Sequence, residues 1–324
     1  MNQELNSEIR PKDFLETKEG LIFAVVASGE EKGRSLAFLR YINGSSSAST
    51  RQKVDTAQAN AYLHKHYPDY LYHSENFDAD LHGVPFDRII RHYKPTEKLN
   101  ELMVSHTSHN ELQKKLIQLM QLLSDNNLPL NDFGVTGSFL IGAENKKSDI
   151  DLVIYDRKTF HKAREVVKNM ISHKKLTALD ELFWKDSYDR RSCSLSLEEY
   201  IWHEKRKYNK AVFKDIKFDL SLVVDTDLTG DRIYSKKGHI TIETKVIDDQ
   251  HAFDTPSLYT TDHPEFPNVL CFTPTYAGQA FTGETVEVSG LIEESVDGED
   301  RRLIVGSSRE ASGEYIKVIK GRYS

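Results

Sequence analysis

A chain of 324 residues with 38% hydrophobic content can bury a sizeable core and has room for two or three domains. Its 43 basic and 50 acidic residues leave a formal charge of -7, which excludes a surface coated in positive charge for non-specific nucleic-acid or membrane binding but leaves room for a local basic patch. The two cysteines, Cys193 and Cys271, exclude a disulfide framework and a cysteine-based zinc site. They fit a reducing, cytoplasmic setting. No apolar run approaches the roughly 20 residues of a spanning helix, and Met1 to Lys18 is too polar for a signal peptide. No membrane partner is therefore expected, and the Asn43-Gly44-Ser45 sequon is not expected to be glycosylated.

In chain order, two apolar runs, Leu21 to Ala27 and Leu36 to Ile42, flank the polar turn Ser28 to Gly33 and predict a hairpin. A serine-rich loop follows at Gly44 to Ser49. Thr56 to His66 reads as a helix, and Tyr70 to His92 as extended chain broken by Gly83 and Pro85. These pieces make a small α+β domain over residues 1–95. His64, Lys65 and His66 are adjacent on their helix and do not face one direction, so they read as an exposed patch.

Pro95 opens a helix, and Ser108 to Leu123 continues as another, with Leu112, Leu116, Leu119, Leu122 and Leu123 as its apolar stripe. A short strand, Asp132 to Thr136, delivers the chain into Gly137-Ser138. The strand Ile150 to Tyr155 and the helix Lys158 to Asn169 follow, the latter with Phe160, Ala163, Val166 and Val167 on one face. Ser196 to Tyr208 is a further helix. In Lys214 to Val224 the apolar residues Ile216, Phe218, Leu220 and Leu222 alternate with Lys217, Asp219 and Ser221, which predicts a strand carrying Asp219 on its polar face. Beyond Asp225 come short β-prone pieces, Ile240 to Ile247, Thr285 to Leu291, Arg302 to Val305 and Tyr315 to Ile319. They suggest a small C-terminal barrel or sandwich, OB-like in one reading, over residues 229–324. Residues 96–228 form the central domain.

The chemistry concentrates between Gly134 and Ile154. Asp149 and Asp151 are two residues apart and share one face of a strand. A third carboxylate, Asp219, comes from another strand. Such a set can hold Mg²⁺ (or Mn²⁺) and clamp a nucleoside triphosphate. Gly137 lets the backbone approach a phosphate, and the Ser138 hydroxyl can donate to it. If Phe139 to Gly142 begins a helix, its N-terminus adds a favourable dipole.

Gly137-Ser138, ten intervening residues, then Asp149-Ile150-Asp151 resembles the signature of the DNA polymerase β-like nucleotidyltransferase superfamily, with Phe218-Asp219-Leu220 similar to its third carboxylate strand. The resemblance strictly covers Phe133 to about Val224. It implies an α/β (α+β) nucleotidyltransferase fold, a short mixed sheet flanked by helices, and transfer of a nucleoside monophosphate from an NTP to an acceptor. It also implies metal ligation by Asp149, Asp151 and Asp219, with Ser138 on the terminal phosphates and Asp219 helping to deprotonate the acceptor. More loosely, Asp13-Phe14-Leu15 to Val26, Trp202 to Lys210 and the C-terminal β segment resemble archaeal proteins predicted to be nucleotidyltransferases, whose substrates are not established.

One departure is the loop Phe139-Leu140-Ile141-Gly142, apolar where that superfamily is arginine-rich. Charge for the triphosphate must come from elsewhere, and His203 to Lys207 is the nearest candidate run. Arg206, Lys207 and Lys210 read either as a solvated basic face or as binders of phosphate or an RNA backbone. Arg190 and Arg191 could reach the same site or form a surface pair, and His203 reads as packing. Tyr276 and Phe281 could stack bases if the last domain is OB-like, with core packing as the ordinary alternative. The appended β-domain favours an RNA or a protein over a small drug as the acceptor, whose identity the sequence leaves open. The alternative is a non-catalytic RNA-binding or regulatory protein that retains the fold.

Overall fold

The computed structural model describes residues 9–44, 51–105, 109–191, 193–224, 232–308 and 311–319. The serine-rich loop expected at Gly44 to Ser49 lies, after Gly44, outside the described residues. The architecture is mixed α and β, with six helices and three sheets among the described residues. None of these helices is long and apolar enough to cross a membrane. The chain divides into two compact units. Residues within Met1–Ser74, Asp80–Ala178 and Asn209–Val223 make the first, and those within Glu75–Ala79, Leu179–Tyr208 and Val224–Ser324 the second.

The first sheet contains β1 (Phe14–Thr17), β2 (Ile22–Val25), β3 (Arg34–Asn43), β4 (Arg51–Lys53), β5 (Leu71–Ser74), β6 (Ala79–Pro85) and β7 (Ile89–Tyr93), in the order β5-β6-β3-β2-β1-β7 with β4 added on β3. The predicted hairpin is β2 and β3, with Ala24 opposite Phe38. Strand alternation gives the sheet two apolar faces. Leu15, Phe23, Val25, Ala37 and Leu39 pack with Ala59 and Leu63 of helix α1 (Thr56–His66). Asp55 starts α1 by accepting from the Gln58 N–H at 2.8 Å while Gln58 reaches back to the Asp55 N–H, a reciprocal cap. On the opposite face Phe14, Ile22 and Tyr41 pack with Leu140.

That second cluster explains the apolar loop after Gly137-Ser138. Phe139 and Leu140 are 1% and 2% exposed. The loop is packing material that fastens the first sheet to the chain around the aspartates. Instead of beginning a helix, Phe139–Ile141 makes a three-residue 3₁₀ turn, which Gly142 ends at φ +66°. So short a turn carries little dipole.

Helices α2 (Pro95–Val104) and α3 (Glu111–Ser124) lead into the second sheet. The core stripe of α3 is Leu116, Leu119, Met120 and Leu123, while Leu112 and Leu122 are only half-buried. The sheet holds β8 (Phe133–Thr136), β9 (Ile150–Ile154), β10 (Lys210–Phe213) and β11 (Ile216–Leu222), ordered β10-β11-β9-β8. Only β9 and β11 are parallel. Parallel neighbours need a crossover, and α4 (Arg157–Ser172) lies within it, burying Phe160, Ala163, Val167 and Met170. The expected Val166 is half-buried.

The second unit holds helices α5 (Glu181–Asp189) and α6 (Leu197–Lys207) and a six-stranded sheet. Its strands are β12 (Tyr234–Asp248), β13 (Ser257–Thr261), β14 (Asn268–Cys271), β15 (Thr285–Ser295), β16 (Arg301–Val305) and β17 (Tyr315–Val318), ordered β12-β13-β14-β16-β15-β17, with β12 also paired to β15. The units are drawn differently from the three expected domains, since the first and second sheets share one unit and α6 falls with the C-terminal strands. Side chains account for the latter. The Val318 N–H donates to His203 Nε2 at 3.0 Å, Lys207 Nζ donates to the Thr275 carbonyl at 3.0 Å, and the Ser194 N–H donates to the Tyr276 hydroxyl at 3.1 Å.

If Leu140 is structural, Leu140→Ala should lower unfolding free energy by about 2–5 kcal/mol. Chemical denaturation of the full chain measures this, and a change of a few tenths would return the loop to the list of ligand-facing segments.

Candidate active site

Four residues form one row across the second sheet. Thr136 on β8 is opposite Asp151 on β9, Asp151 is opposite Asp219 on β11, and Asp219 is opposite Lys210 on β10. Residues in register share a face, so the ladder brings Asp151 and Asp219 together although 68 positions separate them in the numbering. Asp149 precedes β9 by one residue and, at the two-residue strand period, points to the same side.

The electrostatics match that crowding. Burial raises the Asp151 carboxyl to about 6, and the negative charges of Asp219 and Asp149 push in the same direction, while Lys12 and Lys217 pull the other way. Burial also raises the Tyr41 phenol, and the Asp151 charge adds to this, so the first sheet faces the carboxylates at that point. Asp219 Oδ1 is buried and has no hydrogen-bond partner among the described residues. A buried acceptor left unpaired costs about 1–3 kcal/mol and calls for an explanation. Asp149 Oδ2 sits 2.8 Å from Lys217 Nζ, with the two side chains 27% and 5% exposed.

Gly137 closes the row. Its φ is +67°, and a Cβ there would lie 2.4 Å from Asp151 Oδ2. A glycine is needed on both counts. The neighbouring strand is pinned by the Thr136 hydroxyl, which donates to the Lys12 carbonyl at 2.7 Å. Ser138 stands at the entrance of the 3₁₀ turn, where its side chain makes no capping bond and its carbonyl accepts from the Ala143 N–H at 2.9 Å.

Of the expected site residues, Gly137, Ser138, Asp149, Asp151 and Asp219 therefore lie in one unit. Arg206 and Lys207 lie in the other, with their charges engaged there. Lys207 is 1% exposed and donates to Glu204 Oε1 at 2.5 Å. Arg206 pairs with Glu284, and its guanidinium lies 4.2 Å from the Trp202 ring centroid and 4.8 Å from that of Phe281. Of the basic residues named from Arg206 to Lys210, the ladder sets Lys210 beside a carboxylate. Tyr276 is buried, as packing would have it, and His203, 2% exposed, holds Val318 in place. Arg190 pairs with Asp186 at 2.6 Å, and Arg191 donates to the Tyr200 hydroxyl at 2.8 Å. His64, Lys65 and His66 are exposed.

Lys217 and Lys12 are the additions. Lys217 was visible in the alternation of Lys217, Asp219 and Ser221, where its parity equals that of Asp219. Lys12 had no local signal, because a long-range packing of the first sheet brings it to the site. Among the described residues no group of three or more His, Cys, Asp or Glu side chains stands arranged to hold a metal ion.

Among curated proteins, the uncharacterized protein MJ1086 of Methanocaldococcus jannaschii is 36% identical over 337 aligned positions, covering 96% of this chain and 99% of its own. No family model and no solved structure matches the chain. The chain belongs to the family of the archaeal protein.

Because folding raises the Asp151 carboxyl from 3.8 to about 6, its contribution to stability is fully present below 3.8 and is lost as pH rises through about 6. Asp151→Asn removes that charge. Its melting temperature should exceed wild type at pH 8 and converge with it at pH 4 in metal-free buffer. A pH-independent difference would mean that the carboxylates are not crowded as described.

Proposed function

We propose that this member of the MJ1086 family is a metal-dependent nucleotidyltransferase that moves a nucleoside monophosphate from an NTP to an acceptor. The observation that carries the reading is the register of Asp151 against Asp219 with Gly137 packed on the Asp151 carboxylate. It supplies the two things the motif requires, convergent carboxylates and a close backbone approach beside them.

The donor chemistry of these residues suits a divalent ion. Carboxylate oxygens are the hard donors that Mg²⁺ and Mn²⁺ prefer. Asp219 Oδ1 is an orphaned acceptor, and the repulsion that raises Asp151 is what a cation relieves. Asp149, Asp151 and Asp219 would hold it. When bound, Mg²⁺ or Mn²⁺ would neutralise charge on the leaving pyrophosphate and make the acceptor hydroxyl more acidic. The chain does the rest. The Asp219 carboxylate would help take up the acceptor proton, and Ser138 with the backbone of its turn can hold the terminal phosphates. Transfer chemistry of this kind is mostly positioning and charge neutralisation.

The acceptor reading draws on the second unit. The order β12-β13-β14-β16-β15 with the return pairing of β15 to β12, and β14 parallel to β16, supports an OB-like arrangement of the C-terminal strands. Such folds bind oligonucleotides, which favours RNA over a small molecule and keeps the non-catalytic RNA-binding reading as the alternative. A cytoplasmic location fits the free thiols of Cys193 and Cys271.

Incubation with α-labelled NTPs, Mg²⁺ or Mn²⁺, and RNA or protein acceptors tests the reading. Wild type should transfer label, and Asp149→Asn with Asp151→Asn should lose it by at least about 10²–10³-fold, the scale of removing one preorganised charge-stabilising group. RNA affinity without nucleotide binding, and unmoved by these substitutions, would instead establish the binding protein.

A further inference from the structure

The carboxylate face carries its own cation. β11 places Lys217 two residues before Asp219, on the same side by strand parity. The side chain is 5% exposed, and its ammonium sits 2.8 Å from Asp149 Oδ2. Burying a lysine is costly unless it is paired, so the pair is a real constraint on both partners. Yet Asp149 is also a proposed ion ligand. One carboxylate has two claimants.

The phosphates of a bound nucleotide pose the complementary problem. The loop after Gly137-Ser138 cannot neutralise them, because Phe139 and Leu140 are buried. Arg206 is paired with Glu284, and Lys207 with Glu204. In the unit that holds the carboxylates, Lys217 is a buried ammonium that loses its partner if Asp149 turns to an ion. Its four-carbon stem lets the head group move while the strand stays fixed.

We propose that Lys217 is an exchangeable counter-ion, occupying Asp149 in the absence of metal and passing to the nucleotide phosphates when a divalent cation takes that carboxylate. The inference rests on the nucleotidyltransferase reading and deepens it. Its consequence is coupled binding. The ion alone must displace an ammonium and binds weakly, and the nucleotide alone finds no freed ammonium. Each therefore strengthens the other, and the coupling is reciprocal.

The test measures binding to the full chain, Mn²⁺ by the paramagnetic resonance of the free ion and a non-hydrolysable ATP analogue by calorimetry, each with and without the other. In wild type the two should strengthen each other by about 5–150-fold, the usual range of coupling between sites. Lys217→Met keeps the side-chain volume and removes the charge. It should bind Mn²⁺ alone more tightly than wild type, bind the analogue more weakly at saturating Mn²⁺, and show coupling close to one. Lys217→Arg keeps the charge and should retain weak Mn²⁺ binding and measurable coupling, which separates charge from packing should the methionine variant fold poorly. Unchanged or weaker Mn²⁺ binding in folded Lys217→Met, or absence of coupling in wild type, overturns the exchange while leaving the nucleotidyltransferase reading intact. Wild type that binds neither Mn²⁺ nor the analogue overturns both.

Discussion

Asp151 and Asp219 cannot move apart without breaking the parallel ladder between β9 and β11, which runs from Phe218 opposite Ile150 to Leu222 opposite Ile154. Their partners in that ladder are almost all apolar and buried on both sheet faces. The backbone therefore holds two like charges close together, and the first unit is organised around bearing that cost. Lys12 and Lys217 both pull the Asp151 carboxyl back towards its ordinary value against burial and its acidic neighbours. A protein that needed only a stable sheet would place apolar residues here, since replacing buried charges by packed side chains is often neutral or stabilising.

The first sheet is part of this arrangement rather than an appendage. Its face with Phe14, Ile22 and Tyr41 meets Leu140, and the turn at Lys12 holds the Thr136 hydroxyl. Lys12 adopts φ +78°, an unfavourable conformation for a side chain with a Cβ. Sites that carry such strain are sustained by surrounding contacts. Here the Lys12 N–H donates to the Val25 carbonyl at 3.0 Å, and the next residue, Asp13, is tied to His92 at 2.7 Å. The sheet thus brings Lys12 and Tyr41 near enough to Asp151 of the second sheet for their charges to interact.

How much of this could be read from the chain follows from the range of each interaction. Lys217, Asp219 and Ser221 announce their shared face by alternation, and Asp149 with Asp151 do the same, because parity is local. The β2 and β3 hairpin and the helices α1, α3 and α4 were legible from turn residues, caps and apolar stripes. Glu181–Asp189 was not, since nine residues with a weak apolar stripe give little helical signal. Arg206 and Lys207 illustrate the larger gap. A run of basic residues on a helix reads as a solvated face or a binding face, and only tertiary packing shows that Lys207 is sealed against Glu204 and Arg206 clasped between Trp202 and Phe281. The apolar loop at Phe139 looked like a defect in a phosphate site because its partners, Phe14, Ile22 and Tyr41, are about a hundred or more residues upstream.

The three aspartates are not equivalent, and the difference is set by where the strands begin. Asp151 and Asp219 belong to β9 and β11, so ladder hydrogen bonds fix their backbones. Asp149 lies before the first residue of β9 and just after a turn in which the Ser148 N–H donates to the Asn145 carbonyl at 2.8 Å. Its side chain is 27% exposed, against 5% for the lysine that holds it. A carboxylate outside the ladder and nearer solvent can change partners at a smaller desolvation cost than one inside it. The site therefore combines two charges held by the sheet with one set outside the ladder, and that one is the carboxylate on which Lys217 is seated.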